Sequence, residues 1–211
     1  MPSQRNVNRP RNTFERILRE AFTRTSTPKN EKTSRIWYRQ KAKLTRTSPK
    51  RIMRETSNRQ TTSLKGRMMI GNMYCFFYDP KLSESLPYYD TFPLVIPIES
   101  YSDGFLGLNM HYLSPRHRAI LMDALYETIE DNSDANKLPY SKISYETLKQ
   151  LSKYKYFKPC LKRYLTRNVR SRYLKIEKSE WDSALFLPTE RFQKQRKGKV
   201  WRESRRSVDA I

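Results

Sequence analysis

Residues 72–113 read NMYCFFYDPKLSESLPYYDTFPLVIPIESYSDGFLGLNMHYL, and this stretch decides the fold. Aromatic and aliphatic residues crowd it, and Lys81 is its one basic residue of the Lys/Arg type. Met73 to Tyr78 is a dense run of strand formers. Asp79-Pro80 opens a turn, and a polar loop follows to Glu84. Phe92 to Ile98 gives a second strand. Pro93 and Pro97 point to a sheet edge for it, because proline cannot donate to a ladder. Ser102-Asp103-Gly104 turns the chain into a third strand, Phe105 to Tyr112, where Gly107 marks a bulge or a close backbone approach. Three short strands with tight connections predict a small curled β-sheet or partial barrel. The expected class is α+β, with the sheet packed by helices and preceded by a basic helical N-terminal arm.

Working outward, Ser114-Pro115 is a cap followed by proline at the first helical position. Ile120, Leu121, Ala124, Leu125 and Ile129 then give the helix an apolar face toward the sheet. An acidic surface loop over 130–136 and a helix over 144–153 follow. Beyond Lys153, basic and aromatic residues alternate closely. A short helix at 159–166, a strand at 171–177 and a helical turn from Trp181 to Leu185 are expected there. The final stretch, QKQRKGKVWRESRR (193–206), is too polar to fold alone and reads as a basic tail anchored by Phe192, Val200 and Trp201. On the N-terminal side, residues 1–11 have almost nothing to bury and read as a disordered arm. Asn12 with Glu15 forms a capping box for a helix carrying Phe14, Ile17, Leu18, Ala21 and Phe22. A second helix starts near Ser34, and Ser48-Pro49 starts a third over 49–56. The division expected is a basic arm at 1–63, a core domain at 64–190 and a basic tail at 191–211.

The net charge of +22 is unevenly placed. Residues 1–67 carry net +15, residues 68–136 net −7, and residues 137–211 net +14. Two arms of one sign repel each other unless neutralised, so a polyanionic partner is the simplest reason to keep them. The bland alternative is a solvated surface or an assembly protein with acidic neighbours.

Catalytic patterns are missing. Two histidines, His111 and His117, and two cysteines, Cys75 and Cys160, form neither a Cys-x-x-Cys pair nor a His pair at helical spacing, so no metal is expected. His111 reads as a hydrogen-bonded residue at a strand end. A magnesium-dependent nuclease is the serious enzyme alternative, with Asp79, Asp90, Glu99 and Asp103 as candidate ligands. That chemistry wants a lysine two residues past the second carboxylate, where Tyr101 stands. No Gly-x-Ser-x-Gly elbow occurs, and 5 glycines provide neither a phosphate loop nor a dinucleotide fingerprint. No catalytic residue and no cofactor are expected. No apolar run approaches the length of a membrane span, and no apolar segment follows the basic N-terminus as a signal peptide requires.

Binding has better support. The candidate phosphate contacts are Arg5, Arg9, Arg11, Arg16, Arg19, Arg35, Arg39, Lys41, Lys43, Lys50 and Arg51 on the N-terminal side. Lys162, Arg163, Arg167, Arg170, Arg172, Lys194, Arg196, Lys197 and Lys199 are the candidates on the C-terminal side. Six to ten such contacts to duplex DNA would make affinity fall roughly 10³–10⁵-fold between 50 and 200 mM salt. No helix-turn-helix, zinc finger or basic zipper is visible, which favours backbone or end binding over site-specific readout. Tyr154, Tyr156, Phe157, Tyr164 and Tyr173 either stack on frayed bases or pack the C-terminal half onto the sheet; packing is the preferred reading.

Several segments are similar to a known family. IGNMYCFFYDPK, LPYYDTFPLVIPI, GFLGLNMHYLSPRHR, SKYKYFKPC, VRSRYLKI, EWDSALFLPTERFQK and VWRESR resemble the DNA end-protector protein of T4-like tailed phages, over roughly residues 64–206. The resemblance does not take in the N-terminal arm. It implies a minor head component that binds the ends of packaged linear double-stranded DNA, shields them from host exonuclease and helps complete the head. Its implied partners are DNA and portal or neck proteins, and its implied place is the virion, with the host cytoplasm during assembly and after injection. A head–tail connector without end specificity is the alternative. The family supplies no catalytic residues.

Overall fold

The structure, a computed structural model, describes residues 47–57, 64–130 and 157–209. Its centre is a six-stranded sheet built from β1 (Leu64–Lys65), β2 (Met73–Cys75), β4 (Leu94–Tyr101), β5 (Gly104–Asn109), β6 (Leu161–Leu165) and β7 (Tyr173–Ile176). The order is β1-β7-β2-β4-β5-β6, and every pair is antiparallel. The sheet is open. A separate ribbon pairs β3 (Tyr89–Asp90) with β8 (Phe192–Gln193). The helices are α1 (Pro49–Ser57), α2 (Pro115–Glu130), α3 (Phe157–Cys160), α4 (Trp181–Phe186) and α5 (Lys197–Asp209). This is the α+β class that the central stretch predicts. The helices expected from Asn12, from Ser34 and over 144–153 lie outside the described residues.

Alternation along the strands divides the core into two faces. Met73, Cys75, Leu94, Ile96, Ile98, Leu108, Leu174 and Ile176 face the helices, where Leu121, Leu125, Trp181 and Leu185 meet them. Trp181 is fully buried, and its indole N–H donates to the Ile176 carbonyl at 3.0 Å. Tyr74, Phe76, Val95, Phe105, Tyr164 and Tyr173 form the opposite face. The sheet curls enough for Tyr164 of β6 and Tyr173 of β7 to meet the same ring. Phe76 lies edge-on to both, with centroids 5.5 and 5.2 Å away. Each such pair adds about 0.5–1.5 kcal/mol beyond area burial. The aromatic run therefore welds sheet positions that sequence alone leaves apart.

Several local expectations need correction. β4 is an interior strand between β2 and β5, not an edge. Proline is tolerated there because the regular ladder to β2 covers only Leu94 and Val95, and Pro97 is met on that side through its carbonyl, which accepts from the Gly71 N–H at 3.1 Å. The bulge falls between Pro97 and Glu99, and Gly107 opposite is the close approach: a Cβ there would strike the Val95 side chain. The third strand stops at Asn109, whose side-chain oxygen accepts from the His111 N–H at 3.0 Å and turns Met110–Tyr112 into a 3₁₀ turn. The helix expected at 159–166 is the short α3 followed by β6. Leu161–Leu165 pairs with β5, covering an edge that would otherwise stay open. In α2, Leu121 and Leu125 face inward as expected, but Ile120 is 40% exposed and Arg118 takes an inward position. Ser48 caps α1 through its hydroxyl, which accepts from the Arg51 N–H at 3.2 Å.

Candidate nucleic-acid interface

The C-terminal residues 197–209, expected as part of a polar tail, form a thirteen-residue helix. Its apolar share is small: Val200, Ser204 and Val208 are its buried residues, at helical spacing. A helix this polar needs other anchors, and a buried polar network supplies them. Trp201 donates its indole N–H to the His111 carbonyl at 2.9 Å. Glu190, just ahead of β8, takes Lys197 on one carboxylate oxygen at 2.9 Å and Arg118 on the other at 3.3 Å. Arg118 is fully buried, and its other N–H groups donate to the carbonyls of Leu113 and Leu185 at 2.8 and 2.9 Å. Burial pushes the Glu190 carboxyl up, but Arg118, with His111 and Lys197, more than offsets this and holds it at about 2. Burial likewise lowers the Arg118 pKa against the pull of Glu190.

A second buried constellation sits beside it. His111 Nδ1 lies 2.7 Å from Asp90 and Nε2 lies 2.9 Å from the Thr189 hydroxyl. The order carboxylate, imidazole, hydroxyl imitates a nucleophilic relay. Thr189 is 1% exposed, however, so no substrate reaches its oxygen. Asp90 also accepts from the N–H groups of Phe92 and Arg191 at 3.0 and 3.1 Å. The group staples the β3–β8 ribbon to the sheet.

Held this way, the start of α5 presents a broad basic concavity of about 900 Å³. It is lined by Lys194, Gln195, Arg196, Lys197, Gly198, Lys199, Trp201 and Arg202. Four residues singled out from sequence, Lys194, Arg196, Lys197 and Lys199, come together here, and Arg202 joins them. No acidic residue occupies the first turn, so the positive end of the helix dipole adds to the side-chain charge. Lys194 holds a left-handed backbone, φ 65°. Its ammonium donates to the carbonyls of Glu84 and Leu86 at 2.6 and 3.0 Å, tying the 81–86 loop to the concavity. Arg196 and Arg202 have no carboxylate partner among the described residues. The signal for Arg202 is the spacing of Val200, Ser204 and Val208, the inward stripe of a helix that leaves Arg202 outward.

The other predicted positions lie elsewhere. Lys50 and Arg51 are on α1. Arg167, Arg170 and Arg172 sit exposed on the β6–β7 connection, with Arg170 paired to Asp79 at 3.1 Å. Arg163 binds Asp103 and lies 4.2 Å from the Tyr101 ring centroid. Lys162 is half-buried with its ammonium 4.1 Å from the Tyr112 centroid. Arg5, Arg9, Arg11, Arg16, Arg19, Arg35, Arg39, Lys41 and Lys43 fall outside the described residues. Of the aromatics offered for stacking, Phe157, Tyr164 and Tyr173 are buried and pack the core, as preferred; Tyr154 and Tyr156 lie outside the described residues.

The four carboxylates weighed as metal ligands are dispersed. Asp79 holds Arg170, Asp90 holds His111, Asp103 holds Arg163, and Glu99 accepts from the Tyr101 hydroxyl at 2.6 Å. Among the described residues no three His, Cys, Asp or Glu side chains are grouped to hold a metal ion. No described helix is long and apolar enough to cross a membrane.

Comparison with known proteins places the chain. No curated protein and no solved structure matches it. The family model described as "Phage T4 terminal DNA protecting protein" matches residues 7–205, which takes in most of the N-terminal arm as well as the segments of the resemblance. With nearly its whole length matched, the chain belongs to the family of phage T4 terminal DNA protecting proteins.

Proposed function

We propose that this protein binds the ends of linear double-stranded DNA in the phage head, without catalysis, and shields them from host exonuclease. The observation that carries this reading is the basic concavity at the start of α5, in a chain of the terminal DNA protecting family. A phosphate backbone rewards such a surface by releasing condensed counterions. Arg196 and Arg202 suit it best, because a guanidinium unclaimed by a carboxylate is free for two-point phosphate contact. The basic arm would add contacts along the duplex. Arg167, Arg170 and Arg172 would add a second row. The acidic central block would face protein, which fits help in completing the head beside portal or neck subunits. Such a protein works in the virion, and in the host cytoplasm during assembly and after injection.

Gel-shift titration of the full chain on linear and on closed circular duplex tests the reading. Tighter binding to the linear form, weakening steeply with salt, is the expected result. Equal affinity for both forms removes the end preference. Loss of DNA on adding Mg²⁺ removes the absence of catalysis.

A further inference from the structure

We propose that the tyrosine-walled cavity between the 80–90 segment and β6 holds one terminal nucleotide of a DNA strand, its base against Tyr88 or Tyr89 and its phosphate on Lys162. This rests on the end-binding reading above and names the part of the DNA that enters the protein. The cavity measures about 290 Å³, with walls from Tyr78, Tyr88, Tyr89, Tyr112 and Tyr164 and with Asp90 and Asn109 also lining it. That is the low end of the range for small-ligand sites, about 300–1,000 Å³. It is room for one nucleotide and not for a duplex.

Lys162 is the feature that asks for a ligand. Other cations drawn into this fold have partners: buried Arg118 has Glu190, half-buried Lys175 lies 3.6 Å from Glu177, and half-buried Arg191 donates to the carbonyls of Glu190 and Thr47. Lys162 has no carboxylate or carbonyl partner among the described residues, only the Tyr112 ring face at 4.1 Å. Burial lowers its pKa, so the ammonium is held partly out of water without a counter-ion. An ammonium in that position gains from an arriving anion.

The rest of the lining sets the orientation. Asp90 is committed to His111, Phe92 and Arg191, and Asn109 Nδ2 donates to the Tyr164 hydroxyl at 3.0 Å. A phosphate beside the Asp90 carboxylate is repelled, so it belongs at Lys162. Tyr88 and Tyr89 are only half-buried, unlike Tyr78, Tyr112 and Tyr164, and offer the ring faces on which a base stacks. Stacking on a ring of this kind is of the same order as the loss of one terminal base-pair step, so fraying a single pair is affordable.

The cavity also adjoins the basic concavity. Lys194 holds the carbonyls of Glu84 and Leu86 from one side, and Leu86 lines the cavity on the other. Burial, and after it a hydrogen bond to Glu203 of α5, pushes the Tyr88 hydroxyl up to about 12. Leu86 and Tyr88 thus tie the cavity wall to Lys194 and to α5.

The test uses the full chain and a blunt, 5′-phosphorylated linear duplex carrying 2-aminopurine either at the terminal position or at the centre. The expected result is a change in terminal-probe fluorescence on binding, with the central probe unmoved. Deoxynucleoside monophosphate should compete for the terminal response. Tyr88→Ala and Lys162→Met should each weaken that competition about tenfold, while Tyr88→Phe and Lys162→Arg retain it. Terminal and central probes that respond alike while linear DNA is still preferred would overturn the cavity assignment and leave end binding standing. Equal binding of linear and circular DNA with a silent terminal probe would remove both. The wild-type probe comparison decides even if a variant fails to fold.

Discussion

Arg118 Nη2 lies 3.3 Å from Glu190 Oε2, with both side chains sealed from water. One partner sits in α2 and the other precedes β8, so the pair joins the middle of the chain to its C-terminal part. The second Glu190 oxygen holds Lys197, the first residue of α5. A buried ion pair is a weak source of net stability but an expensive thing to break. Here it fixes where the most basic helix docks.

Arg118→Met leaves Glu190 buried with half its partners gone. The expected loss is about 3–5 kcal/mol of unfolding free energy, read by urea denaturation. Trp201 emission should shift to the red as α5 loosens. Glu190→Gln in the same background should recover part of the loss, because the uncompensated charge has gone. No recovery would show that the pair is not what holds α5.

Acid should act through the same carboxylate. Glu190 is held at about 2 in the folded chain against 4.5 as its ordinary value. Its contribution is thus fully present above about pH 4.5 and is lost as pH falls toward 2. That displacement corresponds to about 3 kcal/mol. Glu190→Gln should flatten the fall in stability between pH 4.5 and 2, measured by urea midpoints across that window. An unchanged slope in the variant would contradict the assignment.

Gly104 is a packing requirement. A Cβ there would strike the carbonyl oxygen of Tyr164 on β6. Backbone cannot swing aside as a side chain does, so Gly104→Ala should cost about 1–3 kcal/mol by thermal unfolding. Gly198→Ala, where a Cβ meets open space, should leave stability unchanged or raise it.

Surface charge should behave in the opposite way. Arg196→Ala and Arg202→Ala remove exposed cations and should move stability by no more than about 0.5 kcal/mol. Each should flatten the plot of log K against log salt by about 0.9 if it contacts a phosphate. Arg170→Ala, whose guanidinium already pairs with Asp79, should change that slope less.

How far these features were readable from sequence follows from the range of the interactions involved. Met73–Cys75, Gly104–Asn109 and Pro115–Glu130 announce themselves through a dense aromatic run, a turn and a proline cap, all local signals. β6 reads as helix from sequence because Leu161–Leu165 has no local mark of a strand; its partner on β5 lies some sixty positions earlier. Pro97 points to an edge because one chain segment does not distinguish an edge from an interior position met only through its carbonyl. The basic residues of α5 were picked out singly, but their meeting at one concavity depends on Glu190 and Arg118. Arg118 was invisible as an anchor, since a lone arginine on an amphipathic helix reads as surface. Charge alone groups Lys162 with the phosphate contacts, and only the Tyr112 ring beneath it sets it apart.

The central claim is that the basic start of α5 shields DNA termini. Its most direct test is digestion of a linear duplex by a processive exonuclease, with the wild-type chain and with an Arg196→Ala, Lys199→Ala, Arg202→Ala variant whose folding is verified by its unfolding midpoint. Intact ends with the wild type, and degradation with the variant at the same protein concentration, is the predicted result. Equal protection by both, or no protection by the wild type, would contradict it.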